Sequence, residues 1–143
     1  MNETVTVAAE AMATRFEIAL HGGPVATLRA GAEEALAEVA RLEAILSLYL
    51  PASEISHINK RGAHEPVPVS PEVFMLLERC IELSKQTKGA FDITIAPLMN
   101  CWRLMNDTGE VPTENAIAQA LEYTGSHQLR LNQSDTTVQL ARE

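Results

Sequence analysis

The sequence predicts an α+β fold in which helices pack against a mostly antiparallel sheet. Two kinds of pattern carry this prediction. Apolar residues recur every three or four positions in segments expected to be helices, at 27–47, 71–88 and 113–124. Apolar and polar residues alternate in segments expected to be strands of one sheet, at 14–20 and 129–140. With no internal repeat or linker, residues 1–143 are expected to form a single domain.

The first strand is predicted in the stretch TRFEIAL, where Phe16, Ile18 and Leu20 point to one face. A Gly-Gly-Pro turn ends it. The following helix should bury one stripe of residues: Leu28, Ala32, Ala35, Val39, Leu42 and Leu46. The polar segment 51–66 has turn and loop chemistry, with a short helical turn as one option.

Capping residues delimit the other helices. Ser70 caps the second, Pro71 takes its first position and Gly89 ends it. Thr113 caps the third and Gly125 ends it. The expected inner faces are Phe74, Leu77, Ile81 and Ser84 in the second, and Ile117, Ala120, Leu121 and Thr124 in the third.

The remaining strands follow from prolines and alternation. Pro66 and Pro68 remove backbone donors, so the strand at 67–69 must be short or at an edge. The last strands form a hairpin about a polar turn, with Leu129 and Leu131 facing Val138 and Leu140.

Composition excludes several functions. A net charge of −8 disfavours general binding to nucleic acid or anionic membranes, which rely on basic surface. No apolar run approaches the ~20 residues of a membrane span. The start of the chain lacks the pattern of a signal peptide.

The two cysteines and four histidines show no metal-ligand spacing, so no metal site is predicted within the chain. Triad, P-loop and GxGxxG motifs are absent, and no catalytic residue is assigned.

Asp92 is the most informative candidate residue, because it lies between Phe91 and Ile93 just after a glycine turn. It could form an Asx turn that ties down backbone amides. It could instead accept hydrogen bonds from a ligand at a pocket wall. Local reasoning favours the turn.

Other candidates also have two interpretations. Tyr49 could pack the end of the first helix onto the core or offer a flat face to an aromatic ligand. Met12 is typical of a gap filler. The polar run Ser53, Glu54, Ser56 and Asn59 could be a binding loop or a solvated one.

Three motifs occur in an order that resembles the N-terminal part of the ApbE family of FAD:protein FMN transferases. They are AMATRFEI at 11–18, ARLEAILSLYLPASEISHIN at 40–59 and ELSKQTKGAFDITIAPLMNCW at 82–102. Three positions depart from the family pattern: Ala13 and Ala96 replace frequent glycines, and Arg103-Leu104 replaces Gly-Phe. The family's Asp-Leu-Gly…Lys-Gly and Asp-Pro…Thr-Gly segments are not found, so a truncation before the metal-binding half is expected.

The resemblance implies a function. Family members bind FAD and Mg²⁺, attach FMN through a phosphoester to a Ser or Thr of a target flavoprotein, and release AMP. It implies FAD contacts at Met12, Tyr49, Ala90, Phe91 and Asp92, with the Mg²⁺ ligands beyond residue 143. This chain alone is expected to be inactive and to bind FAD weakly. The alternative is a non-catalytic flavin-binding or structural module. Family members are commonly periplasmic lipoproteins, a location for which this chain carries no signal.

Overall fold

The computed structural model describes residues 3–104 and 109–141. The chain divides into two compact units, Met1–Ser56 and His57–Glu143. The single domain expected from the sequence stays a prediction. Among the residues that the structure describes, no helix has the length and apolar character needed to cross a membrane.

The first unit is a β-hairpin covered by a long helix. Strands β1 (Thr4–Ala11) and β2 (Thr14–His21) pair antiparallel along their full length. Helix α1 (Val25–Leu46) packs on both strands. The buried apolar residues are Val5, Ala11, Ala32 and Leu36. The alternation predicted for β2 is confirmed, since Phe16, Ile18 and Leu20 are the less exposed positions. The pairing strand β1 was not predicted.

The turn between β1 and β2 is backbone-strained. Met12 and Ala13 both lie in the left-handed region, with φ of 51° and 57°. Two successive positive φ values characterise the type I′ turn, whose twist suits a two-residue hairpin. The second position favours glycine, and an alanine there costs about 1–2 kcal/mol through contact of its Cβ with the backbone. The glycine expected at position 13 from the family resemblance therefore has a conformational reason.

The buried face of α1 differs from the prediction at one place. Ala35 is exposed and its neighbour Leu36 is buried. A leucine side chain removes more apolar surface from water than an alanine methyl does, so this rotation of the helix is the more favourable. Leu28, Val39, Leu42 and Leu46 are half-buried along the same side.

Helix α2 (Glu54–Arg61) occupies the segment predicted to be mainly loop. Its start is fixed by Ser53, whose hydroxyl accepts a hydrogen bond from the Ser56 amide at 3.0 Å. This is the geometry of an N-cap.

The second unit begins within α2 and contains a small sheet and further helices. Strands β3 (Val67–Pro68), β4 (Leu129–Asn132) and β5 (Thr137–Leu140) form an antiparallel sheet in the order β3-β5-β4. The predicted hairpin register is confirmed, with Leu129 opposite Leu140 and Leu131 opposite Val138. The helices are α3 (Pro71–Gln86), α4 (Ala96–Cys101) and α5 (Glu114–Glu122), and a 3₁₀ turn at Ser126–Gln128 leads into β4.

The prediction that 14–20 and 129–140 share one sheet is wrong. β2 lies in a two-stranded sheet with β1, whereas β4 and β5 pair with β3. The hairpin turn at 12–13 gives β2 a partner immediately before it in the chain. The α+β class itself is confirmed, since helices pack with antiparallel sheets.

The capping predictions for α3 hold at its start and need correction at its end. The Ser70 hydroxyl accepts from the Val73 amide at 3.3 Å, and Pro71 is the first helical residue. At the end, Lys88 takes the left-handed position with φ 54°, followed by Gly89 at 83°. Their amides bond to the Lys85 and Ser84 carbonyls, which is a Schellman motif.

Interior positions of the second unit are mostly as predicted. Phe74, Leu77 and Ser84 are buried on α3, with Val73 beside them. Thr113 caps α5 through the Ala116 amide at 3.2 Å. Ala120 is buried as predicted, whereas Leu121 was predicted to face inward and is 54% exposed.

The hairpin turn generates a first prediction. Ala13→Gly should raise the free energy of unfolding by about 0.5–1 kcal/mol, because relief of left-handed strain outweighs the added entropy of the unfolded chain. Ala19→Gly, within β2, is the matched control and should lower it by roughly 0.5–1 kcal/mol. Urea denaturation measures both. A less stable Ala13→Gly protein would contradict the turn geometry.

A second prediction concerns the α3 core. Leu77 is 4% exposed, so Leu77→Ala should cost about 2–5 kcal/mol. Leu42→Ala, at a half-buried position of α1, should cost less. Chemical denaturation measures the free energy of unfolding of both variants. Equal decreases would show that the burial of one of these leucines is misassigned.

Candidate functional site

The segment 89–95, between α3 and α4, reverses the ordinary distribution of polar and apolar side chains. Phe91, Ile93 and Ile95 are 40%, 40% and 41% exposed. Asp92 and Thr94, between them, are more sheltered. The alternation resembles that of a strand, but the segment forms turns without strand pairing. Large apolar side chains on an ordered surface loop are typical of a surface that a ligand or partner covers.

Hydrogen bonds to the Asp92 carboxylate produce this reversal. Its Oδ1 accepts from the Thr94 amide at 2.8 Å and the Thr94 hydroxyl at 2.6 Å. Its Oδ2 accepts from the Ser84 hydroxyl on α3 at 3.2 Å. The bonds to Thr94 form an Asx turn. The turn predicted from local reasoning is therefore present.

Thr94 extends the network to the end of α5. Its hydroxyl oxygen accepts a hydrogen bond from the Gly125 amide at 2.6 Å while the hydroxyl donates to Asp92. Gly125 has a φ of 129°. A Cβ atom at this position would lie 2.5 Å from the imidazole ring of His127. Its backbone conformation requires glycine here, because residues with a Cβ rarely adopt such a φ.

The network also sets the charge state of Asp92. Burial raises the pKa of this carboxyl, but hydrogen bonds from Thr94, Ser84 and the Ser126 amide outweigh burial and hold the pKa below its ordinary value. The carboxylate form is therefore stabilised in the folded chain. The Asp92 oxygens accept several hydrogen bonds within the chain, and these bonds fix the conformation of the loop.

Ala90 and Phe91 complete the predicted tripeptide. Both are exposed. The Phe91 amide donates to the Thr87 hydroxyl at 3.0 Å, which ties the start of the loop to the end of α3. The Phe91 ring is thus carried on a fixed backbone.

The other predicted contacts, Met12 and Tyr49, lie in the first unit near the C-terminal end of α1. The Met12 amide donates to the Glu43 carboxylate of the last helical turn at 2.6 Å. Tyr49 follows the helix by three residues, and its amide donates to the Ser47 hydroxyl at 3.2 Å. The two side chains are 43% and 68% exposed. The interpretation of Tyr49 as a residue that packs the helix end onto the core is wrong.

Sequence reasoning missed the residues that hold these exposed side chains. Ser84, Thr94 and Gly125 support Asp92, and of these only Thr94 has a local signal, the Asp-x-Thr spacing of an Asx turn. Ser53 and Ser56 were considered as solvated or ligand-binding residues, yet they are 1% and 4% exposed.

No metal centre is formed by the residues at 3–104 and 109–141, where no three His, Cys, Asp or Glu side chains are grouped to hold an ion. The two cysteines are free and half-buried. Burial raises the pKa of the Cys80 thiol, which disfavours the reactive thiolate. An open groove along α1 is lined by Gly31, Glu34, Ala35, Ala37, Glu38 and Arg41, and no predicted site residue is among them.

Solved structures share this fold. The crystal structure of an ApbE protein from Thermotoga maritima matches 96% of the chain with a TM-score of 0.86 at 24% identity. The flavinyl transferase ApbE of Pseudomonas stutzeri, in its apo form, matches 99% with a TM-score of 0.79 at 25% identity. The fold is therefore that of the ApbE flavin transferases.

Sequence comparisons agree. A protein of Chlamydia muridarum named FAD:protein FMN transferase is 31% identical over 97 residues, which is 68% of this chain. One of the same name from Treponema pallidum is 27% identical over 124 residues. The model of the ApbE family matches residues 12–143, and the chain belongs to this family. It spans 31% and 34% of the two relatives and 45% of each solved chain.

The lowered pKa of Asp92 generates a third prediction. Asp92→Ala should reduce the free energy of unfolding at pH 7 by about 1.5–3 kcal/mol, because it removes hydrogen bonds to a charged acceptor. The stabilisation is fully present above the unfolded pKa of about 3.9 and is lost as pH falls through the lower folded value. The variant and the unmodified chain should therefore converge in stability at acid pH.

Thermal or urea unfolding between neutral and strongly acid pH measures the difference. Glu78→Gln, which alters an exposed acid of α3, is the control and should change stability by less than about 0.5 kcal/mol. A difference for Asp92→Ala that does not shrink with falling pH would contradict the role of its charge.

Proposed function

We propose that this chain is the N-terminal part of an FAD:protein FMN transferase. The proposal is supported by family membership and by the names of the relatives. The single structural observation behind it is the reversed loop at 89–95, where internal hydrogen bonds hold apolar side chains at the surface. A planar apolar ligand such as a flavin is a suitable occupant for such a surface.

The proposed reaction transfers FMN from FAD to a Ser or Thr of a target flavoprotein. The hydroxyl oxygen attacks the phosphorus on the FMN side of the pyrophosphate. A phosphoester bond forms, the bond to the AMP oxygen breaks, and the hydroxyl proton leaves to a base. FAD and the acceptor flavoprotein are accordingly the proposed partners.

Each unit offers its own candidate contacts for a flavin. In the first unit, Met12 and Tyr49 offer a thioether and an aromatic face, both suited to contact with a flat ring. In the second unit, the proposed flavin contacts are Ala90, Phe91 and Asp92, and Asp92 also fixes the loop through its bonds with Thr94. Phe91 beside the ring would also exclude water.

Mg²⁺ would neutralise the pyrophosphate charge in this reaction. The described residues do not fit a site for it, since they contain no group of three suitable ligands.

A fourth prediction tests the proposal. The chain alone, with FAD, Mg²⁺ and a flavoprotein acceptor, should leave no covalent flavin fluorescence on a denaturing gel. An extended protein, in which residues 1–143 are followed by the C-terminal portion of the Vibrio cholerae flavin transferase, should label the acceptor. Phe91→Ala in the extended protein should reduce kcat/KM for FAD about tenfold, a loss of roughly 1.4 kcal/mol in transition-state stabilisation.

Val111→Ala is the matched control, since Val111 is 82% exposed and has no proposed contact. It should leave labelling unchanged. Labelling by the chain alone would refute its dependence on further sequence. An extended protein that melts cooperatively yet labels nothing would count against the transferase function.

A further inference from the structure

The segment that follows α1 presents three consecutive apolar side chains to solvent. Leu48, Tyr49 and Leu50 are 48%, 68% and 43% exposed. They belong to a stretch without regular secondary structure, where α1 has ended and α2 has not begun. Such a segment would ordinarily be mobile, because it forms no helix or ladder of its own.

The hydroxyls of two buried serines form hydrogen bonds with the backbone of this segment. The Ser53 hydroxyl donates a hydrogen bond to the Ser47 carbonyl. The Ser56 hydroxyl lies 3.3 Å from the same oxygen and donates to the Leu48 carbonyl at 3.0 Å. The Ser53 oxygen also accepts from the Ser56 amide. The backbone on both sides of Leu48 is thereby attached to the first turn of α2.

Burial makes these hydrogen bonds consequential. Ser53 and Ser56 are 1% and 4% exposed, so water cannot readily replace a missing hydroxyl. Removing the Ser56 hydroxyl would leave the Leu48 carbonyl without its donor. Removing the Ser53 hydroxyl would leave the Ser47 carbonyl with only the longer bond from Ser56. In either case the segment is held less firmly.

We propose that Ser53 and Ser56 are positioning residues for flavin binding, which act by fixing Tyr49 as a preformed aromatic platform. The role rests on the proposed flavin contact of Tyr49. Neither hydroxyl reaches the surface, so neither touches the ligand. Their contribution is preorganisation: a platform that is already ordered loses less conformational entropy when the ring binds.

Amide hydrogen exchange tests the positioning in the chain itself. Ser56→Ala should speed exchange of two amides at least about tenfold relative to the unmodified chain, as expected for local opening. They are the Tyr49 amide, which donates to the Ser47 hydroxyl, and the Ser53 amide, which donates to the Leu50 carbonyl. Ser53→Ala should do the same and also release the first turn of α2. Ser134→Ala, which removes an exposed hydroxyl from the turn between β4 and β5, is the control and should leave exchange of these two amides unchanged.

Kinetics of the extended protein test the link to the ligand. Ser56→Ala should raise KM for FAD about five- to tenfold with kcat nearly unchanged, because loosening the platform weakens binding rather than chemistry. In a Tyr49→Ala background, adding Ser56→Ala should change KM less than about twofold, since the serine acts through the tyrosine. A general loss of folded protein would not give this dependence on Tyr49.

Each contrary result has a distinct meaning. Unchanged exchange of the Tyr49 and Ser53 amides in both serine variants would overturn the positioning role, whatever the kinetics. A Ser56→Ala effect that persists in the Tyr49→Ala background would also overturn it. If Tyr49→Ala alone leaves KM for FAD unchanged, the flavin contact proposed for Tyr49 fails and the positioning role fails with it.

Discussion

The hydrogen bonds accepted by the Asp92 carboxylate decide which side chains of the 89–95 segment face outward. A sheltered carboxylate needs donors, and Ser84 and Thr94 supply them from the end of α3 and from the loop itself. Once Asp92 and Thr94 turn inward, Phe91 and Ile93 on the alternate positions must turn outward. The polar groups are hydrogen-bonded inside, and the apolar side chains are exposed to water, which is unfavourable. This distribution is the reverse of that in an ordinary core, and it suits a surface that binds an apolar ligand.

The first unit uses the same arrangement with neutral groups. Ser53 and Ser56 are buried beneath a segment whose leucines and Tyr49 are exposed. In both units, short polar side chains satisfy the backbone or each other from inside, and the apolar side chains stay outside on an ordered scaffold. Two unrelated stretches of sequence thus have the same arrangement. In each, the hydrogen bonds hold exposed the side chains that are proposed to contact a flavin.

The parts of this account that sequence could predict are local. Ser70 with Pro71 and the alternation of Leu129 and Leu131 specify a helix start and a hairpin register within a few residues, and both predictions are confirmed. The unpredicted parts depend on distance or weak patterning. Strand β1 contains Ala8 and Ala9, which have low strand propensity. The bond from Gly125 to Thr94 joins residues 31 apart, and no periodicity encodes such a contact.

The central claim is that the Asp92 network presents the Phe91 side chain to a flavin. Intermolecular nuclear Overhauser effects between FAD and selectively protonated phenylalanine rings in the extended protein test it directly. Cross-peaks should connect the flavin ring methyls to Phe91, vanish in the Phe91→Leu variant that assigns them, and weaken in Asp92→Ala. Saturating FAD with no Phe91 cross-peak, or one of equal strength in Asp92→Ala, would contradict the claim.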